Sequence, residues 1–252
     1  MQSTPISQAE INVRIHDHID ELLELWWAEQ GASKPRDLDL IALSLPFARG
    51  QALRVLDLCC GPGDVGRAIR HVYPDAHIDG IDWDPFLTSI CAAVNQRNRI
   101  PGTLLVRDLH DDGWIDELPG DYDVVAIVNA LHWFGAERAA QLVTQVHRAL
   151  RGGGVFLLAE PARAEGPFER GFEEWRATQP PRYLRENWQR FWSRANALLG
   201  YDHPALWGAR ASDQIGDSMS VGGWVRLLKH PGFELIDVLW RDADQVILAA
   251  RK

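Results

Sequence analysis

The stretch Val55-Leu56-Asp57-Leu58-Cys59-Cys60-Gly61-Pro62-Gly63-Asp64-Val65-Gly66 constrains the fold of this chain more than any other. An apolar run ends in an acid, then turns through a glycine-rich loop into a helix, the pattern of a strand–loop–helix cofactor site. Glycine lets the backbone bend sharply and approach a ligand, because no Cβ intrudes. Gly61, Gly63 and Gly66 satisfy the dinucleotide pattern G-x-G-x-x-G, but their neighbours argue against a pyrophosphate. Asp57 ends the strand, where a carboxylate suits a cationic group. Asp64 is expected to N-cap the following helix, taking the amides that a phosphate needs and repelling it. No Lys follows at P-loop spacing. A ligand with an ammonium or sulfonium charge fits this loop better than an anion.

Strand and helix alternate around the loop. Strands are expected at 52–58, 78–82, 103–106, 122–128 and 155–159. Helices are expected at 37–49, 64–72, from Pro85 to about Arg97, and at 137–150, the last stopped by Gly152-Gly153-Gly154. Residues 111–120 read as a loop with Trp114 and Pro119. The unbroken apolar run at 122–128 suits a parallel strand buried on both faces. Residues 224–229 read as helix, and 233–240 with 245–250 as a hairpin. The expected class is α/β: a doubly wound, mostly parallel seven-stranded sheet, plus N-terminal helices and a helical insertion. The expected division is an arm or lid at 1–35, a cofactor-binding core at 36–160, an inserted cap at 161–220, and a helix and hairpin at 221–252 that complete the sheet.

In the arm, Ile15, Ile19, Leu22, Leu23 and Trp26 recur at helical spacing. Two readings fit it: a helix packed on the core, or a lid with Trp26 or Trp27 facing substrate. Residues 161–220 break the strand–helix rhythm with Trp175, Trp188, Trp192, Trp207 and Pro180-Pro181. They read as a cap over the sheet's carboxyl edge or as an oligomer contact, since Trp and Arg favour interfaces. A homodimer is therefore one expectation.

Net charge is −9 with no basic run, which argues against a nucleic-acid partner. Arg182, Arg185, Arg190 and Arg194 read as an exposed helix face. Cys59, Cys60 and Cys91 have neither C-x-x-C nor zinc spacing, so no metal is expected. No apolar run is long enough to span a bilayer, and the start lacks a signal-peptide core. The expectation is a soluble, cytoplasmic protein with no membrane partner.

Asp57, Gly61 and Gly63 resemble motif I of the class I S-adenosylmethionine-dependent methyltransferases, with Cys59 at that family's first glycine position. Asp82 matches the acid ending the second strand, and Asp108 the acid after the third. Residues 121–133 look like the fourth strand and its loop, and Arg151-Gly152-Gly153-Gly154 like the turn into the fifth. Residues 227–233 are similar to the family's helix–Gly-Phe–strand ending, whose last strand runs antiparallel. The resemblance implies S-adenosyl-L-methionine as cofactor and in-line methyl transfer to the O, N or C atom of a small-molecule substrate.

It also implies roles. Asp57 orients the methionine ammonium, and Cys59, Gly61 and Gly63 supply backbone and small volume. Asp82 takes both ribose hydroxyls, a role that its spacing of about 20 residues from Gly61 also supports. Trp83 lies beside the adenine. Asp108 accepts the exocyclic amine, and Leu109 offers an N–H. Asn129 holds cofactor or substrate. His132 and Trp133 lie over the transfer point, His132 as general base or as wall. Trp26, Trp27, Trp133 and Trp175 are the candidate substrate contacts. Acidic charge and an aromatic insertion favour a compact, partly apolar acceptor. Two alternatives stand: an NAD(P)-dependent oxidoreductase built on Gly61, Gly63, Gly66 and Asp82, and a non-catalytic binding or scaffold protein on the same fold.

Overall fold

β1 (Arg54–Leu58) lies in the middle of a sheet completed by β2 (His77–Asp82), β3 (Leu104–Val106), β4 (Tyr122–Val128), β5 (Leu150–Pro161), β6 (Leu235–Asp242) and β7 (Gln245–Arg251). The structure is a computed structural model that describes residues 6–30, 34–179, 185–203, 214–216, 219–242 and 244–252. Strand order is β3-β2-β1-β4-β5-β7-β6, with β1 parallel to both β2 and β4. The order reverses between β1 and β4, so their following loops diverge and open a crevice at the carboxyl edge. β7 runs antiparallel to β5 and to β6. The seven-stranded sheet with an antiparallel last strand is thus the expected one. A two-half dinucleotide fold would continue with parallel strands, so the oxidoreductase reading loses its structural footing.

The helices are α1 (Gln8–Ile15), α2 (Ile19–Gln30), α3 (Lys34–Leu43), α4 (Asp64–Val72), α5 (Pro85–Arg97), α6 (Ala136–Ala149), α7 (Glu169–Arg176), α8 (Arg185–Leu199) and α9 (Val221–Lys229). Side chains of a strand alternate between faces, and β4 follows this rule. Val124 and Ala126 join a cluster with Ile41 of α3 and Ile69 of α4, while Val125 and Ile127 join one with Val143 of α6 and Leu228 of α9. A third cluster stands apart. In it Ile11 and Ile15, Ile19 and Leu22, Phe86 and Ile90, and Phe191 and Trp192 bring α1, α2, α5 and α8 together. The N-terminal helices and α8 therefore pack with one another over α5, a pairing remote in sequence.

Several boundaries differ from the sequence-based reading. α6 ends at Ala149 and runs straight into β5, so Gly152-Gly153-Gly154 lies within the strand and stops no helix. A Cβ on Gly154 would lie 2.9 Å from the Tyr122 carbonyl oxygen, so close strand approach, not helix termination, requires that glycine. α3 starts earlier than expected, with Pro35 in its first turn, where a missing N–H costs nothing. Within 111–120, Gly113–Glu117 forms a 3-10 turn that buries Trp114, whose indole donates to Gln145 Oε1 at 3.0 Å. Arg194 makes a two-pronged bond to Glu21 at 2.8 and 2.8 Å, tying α8 to α2. Trp207, Pro180-Pro181 and Arg182 lie outside the described residues. Among the described residues no helix is long and apolar enough to cross a membrane.

Candidate active site

The carboxyl ends of β1, β2 and β4, with the loops that follow them, carry most of the sequence-predicted site residues. The loop after β1 is bent by three successive left-handed conformations, at Cys59 (φ +55°), Gly61 (φ +50°) and Gly63 (φ +81°). Asp57 is buried below the loop and accepts the Gly66 N–H at 3.2 Å, which ties strand to helix. Gly63 also has no room for a side chain, since a Cβ there would lie 2.6 Å from Cys91 Sγ.

Cys59 holds a conformation that costs an L-residue roughly 1–2 kcal/mol. Cys59→Gly is therefore expected to change stability by less than about 1 kcal/mol, strain relief offsetting lost packing and added chain entropy. Cys59→Val is expected to destabilise by about 2 kcal/mol, because a β-branched residue is an outlier in this region. Urea unfolding of the two variants measures the difference, and equal stabilities would mean that the loop carries no strain at Cys59.

Asp64 does not cap α4. The N-cap is Gly63, one residue earlier, and Asp64 is the first helical residue. Its carboxylate is ion-paired with Arg67 and accepts the Trp26 indole N–H at 2.8 Å. The Trp26 ring thereby lies on the loop, with Cζ2 3.7 Å from the place a Gly61 Cβ would occupy. Its other neighbours are the rings of Phe191 and Trp188, 5.2 and 6.4 Å away. Trp27, the next residue, packs instead on the cluster of α3 and α4.

Asp82 is buried at the end of β2, where Oδ2 accepts the Gly61 N–H and Oδ1 the Asp84 N–H, each at 2.9 Å. Burial, and then the Asp84 charge, push its carboxyl up to about 7. The Trp83 backbone N–H, like those of Gly61 and Asp84, favours the charged form. Trp83 beside it is half-buried. Asp108 has one oxygen engaged locally, accepting the His110 N–H at 3.0 Å and facing His110 Nδ1 at 2.9 Å. Leu109 is a core residue.

Beyond β4 the chain turns through Asn129 (φ +53°), whose Oδ1 is buried with no hydrogen-bond partner. A 3-10 turn (Leu131–Trp133) follows. His132, 15% exposed, places Nδ1 2.6 Å from Oε2 of Glu160, which is 0% exposed. The other Glu160 oxygen accepts the Ala130 and Leu131 N–H groups at 3.0 and 2.7 Å. One carboxylate thus fixes both the turn and the ring upon it. With Nδ1 donating to Glu160, Nε2 carries the lone pair. Trp133 is about half exposed, its ring 5.5 Å from that of His132. Trp175 lies on exposed α7 against Phe172, and neither it nor Trp27 makes a described contact with the loop or with His132.

Cys59 sits where the acids converge. Its thiol is pushed well up, first by burial and then by the carboxylates of Asp82, Glu160, Asp57 and Asp108. Such a thiol is no nucleophile. Four acids around this half-buried thiol suit a ligand bearing positive charge, and an orphaned acceptor on Asn129 awaits a donor. Both features fit the ammonium and sulfonium of S-adenosylmethionine.

Sequence reasoning missed Glu160, although its signal was visible: Leu157-Leu158-Ala159-Glu160 is again an apolar run ending in an acid, as at Asp57 and Asp82. It also missed His203, whose Nε2 lies 2.9 Å from both oxygens of the buried Asp84. No local pattern marks that residue.

Residues 55–154 match the family model described as a methyltransferase domain. Over 131 residues the chain is 31% identical to trans-aconitate 2-methyltransferase of Paracidovorax citrulli, covering 51% of this chain and 46% of that protein. Over 117 residues it is 30% identical to an uncharacterized methyltransferase of Synechocystis, covering 46% and 50%. The chain thus spans about half the length of these curated relatives. Among solved structures, a protein described as an O-methyltransferase from Nostoc punctiforme superposes with a TM-score of 0.60 at 17% identity, covering 97% of this chain and 71% of that one. Human N-acetylserotonin methyltransferase, solved with S-adenosylmethionine, gives 0.56 at 17% identity, covering 94% and 57%. At these identities the structural likeness speaks for the fold.

Proposed function

We propose that this chain, which matches a methyltransferase-domain model over residues 55–154, is a class I S-adenosylmethionine-dependent enzyme that methylates a small-molecule acceptor at an oxygen that must lose a proton, with His132 as the base. The observation that carries this reading is the His132–Glu160 pair, 2.6 Å apart and almost wholly buried beyond β4. The pair holds the ring with Nε2 as the proton acceptor. S-adenosylmethionine, when bound, supplies the electrophilic methyl group. Asp57 and Asn129 hold the methionine ammonium end, Asp82 the ribose hydroxyls with Trp83 beside the adenine, and Asp108 with Leu109 the adenine edge. His132 accepts the hydroxyl proton at Nε2, and Glu160 balances the imidazolium charge that results. Trp133 offers a half-exposed aromatic wall beside the base, and Trp26 closes the glycine loop from above. This surface suits a compact, partly apolar acceptor. A cytoplasmic location is part of this proposal, and the free thiols of the described cysteines are compatible with a reducing compartment.

The test is methyl transfer from isotope-labelled S-adenosylmethionine to a panel of small hydroxyl, carboxyl and amine compounds, read by mass spectrometry. Transfer to hydroxyl compounds is expected. Labelling of amines alone would overturn the oxygen assignment, and failure to bind S-adenosylhomocysteine in calorimetry would overturn the cofactor reading.

A further inference from the structure

Against the third apolar cluster lies a buried Asp84–His203 pair that the reading above does not use. Asp84 is 0% and His203 1% exposed. Both Asp84 oxygens face His203 Nε2 at 2.9 Å, and Oδ1 also caps α5 by accepting the Phe86 and Leu87 N–H groups at 2.8 and 3.3 Å. The ring of His203 stacks on Trp192 of α8 at 5.6 Å and 14°, with Phe86 5.8 Å away. Its Nδ1 lies 3.2 Å from the Tyr201 hydroxyl, and its backbone N–H donates to Asn196 Oδ1 at 2.9 Å. The segment following α8 is therefore anchored at the first turn of α5, two residues beyond Asp82.

We propose that His203 is a positioning residue for cofactor binding: it balances the charge of Asp84 and, through it, keeps Asp82 ready to accept the ribose hydroxyls. The inference rests on the assignment of Asp82 to the ribose. The coupling is short, because the Asp84 N–H donates directly to Asp82 Oδ1 at 2.9 Å. Asp84 is also the charge that, after burial, does most to hold Asp82 in its neutral form. Loss of His203 from beside Asp84 would strengthen that effect, since two buried like charges so close together disfavour one another. Among the described residues, the other titratable groups gathered with Asp82 about the glycine loop are Asp57, Asp108, Glu160 and the thiols of Cys59 and Cys60. Near His203 they are Asp84 from α5 and Tyr201 from its own segment, with Arg14 of α1 acting on Tyr201. Among these described groups, His203 is the one placed against both oxygens of Asp84.

The experiment is calorimetric titration of the full chain with S-adenosylhomocysteine from pH 5.5 to 9, for the wild type, His203→Gln, Asp84→Asn and the double variant. Wild-type affinity is expected to rise through neutrality. In His203→Gln the midpoint of that rise should move up by about one pH unit, a loss of about fivefold at pH 7 that is recovered toward pH 9. Asp84→Asn should move the midpoint down, alone and in the double variant, since it removes the charge that His203 balances. A loss of equal size at every pH, or no loss, would reduce His203 to a packing residue and overturn the inference. Should His203→Gln fail to fold, the Asp84→Asn midpoint decides: an unmoved midpoint overturns the inference. Absence of binding by the wild type at every pH would instead overturn the cofactor reading beneath it.

Discussion

His132→Ala is expected to lower kcat for an oxygen acceptor by about 10²–10⁴-fold, the usual contribution of a positioned general base, while the affinity for S-adenosylhomocysteine stays within about twofold, well under 1 kcal/mol. The split follows from geometry. His132 sits on its own turn beyond β4, and its described partner is Glu160, not the glycine loop or Asp82. The sharper variant is Glu160→Gln. Its amide oxygen can still accept the Ala130 and Leu131 N–H groups, so the turn survives. Its NH₂ then faces Nδ1 and donates, which moves the ring proton to Nε2 and removes the lone pair that would take the acceptor proton. Glu160→Gln should therefore fold, bind cofactor and lose activity nearly as far as His132→Ala. Single-turnover transfer beside calorimetric cofactor binding measures both. A Glu160→Gln variant of normal rate would make the dyad structural only.

The second large effect is expected at Asp82, where binding and stability move in opposite directions. Asp82→Asn should weaken cofactor binding by more than about tenfold, about 1.4 kcal/mol, through loss of a charged acceptor for the ribose hydroxyls. It should also make the ligand-free protein more stable at pH 8. The folded-state carboxyl is pushed up to about 7 from the ordinary 3.8. Between those values the folded chain retains a proton that the unfolded chain has released, so this group makes stability fall as pH rises, and its penalty is complete above about pH 7. A shift of about three units corresponds to at most about 4 kcal/mol. Asparagine recovers only part, because its NH₂ opposes one of the N–H donors from Gly61 and Asp84. The net gain at pH 8 is expected at about 1–3 kcal/mol, shrinking toward pH 4. Urea unfolding at pH 8 and pH 5 checks the sign. A variant less stable than the wild type at pH 8 would mean that Asp82 is ionised without strain in the empty site. Such a burden is one way in which a binding site stores its cost in the unliganded state.

Much of the candidate site was legible before any coordinates. Acids that end buried apolar strands, Asp57 and Asp82, fall at the carboxyl edge because a parallel strand has nowhere else to leave a charge near solvent or ligand. Glu160 obeys the same rule. Asp64 misled for a local reason: in a tight left-handed turn the cap falls on Gly63, and one residue of register turns an expected N-cap into a side chain free to meet Trp26. The glycines at 152–154 misled in the same way, since a run that can stop a helix can also admit a neighbouring strand.

The sequence by itself determined the alternation of strand and helix, the bend after β1, the antiparallel hairpin at the end, and the acids that face the crevice. These are properties of contiguous residues, expressed as periodicity, turn chemistry and strand-end charge. Only the tertiary structure decided the pairings: Trp26 with Asp64, 38 residues apart, His132 with Glu160, 28 apart, and Asp84 with His203, 119 apart. Nothing local selects such partners. A buried carboxylate must find a donor, but which one it finds depends on how α1, α2 and α8 pack over α5 and on which strands the sheet sets side by side.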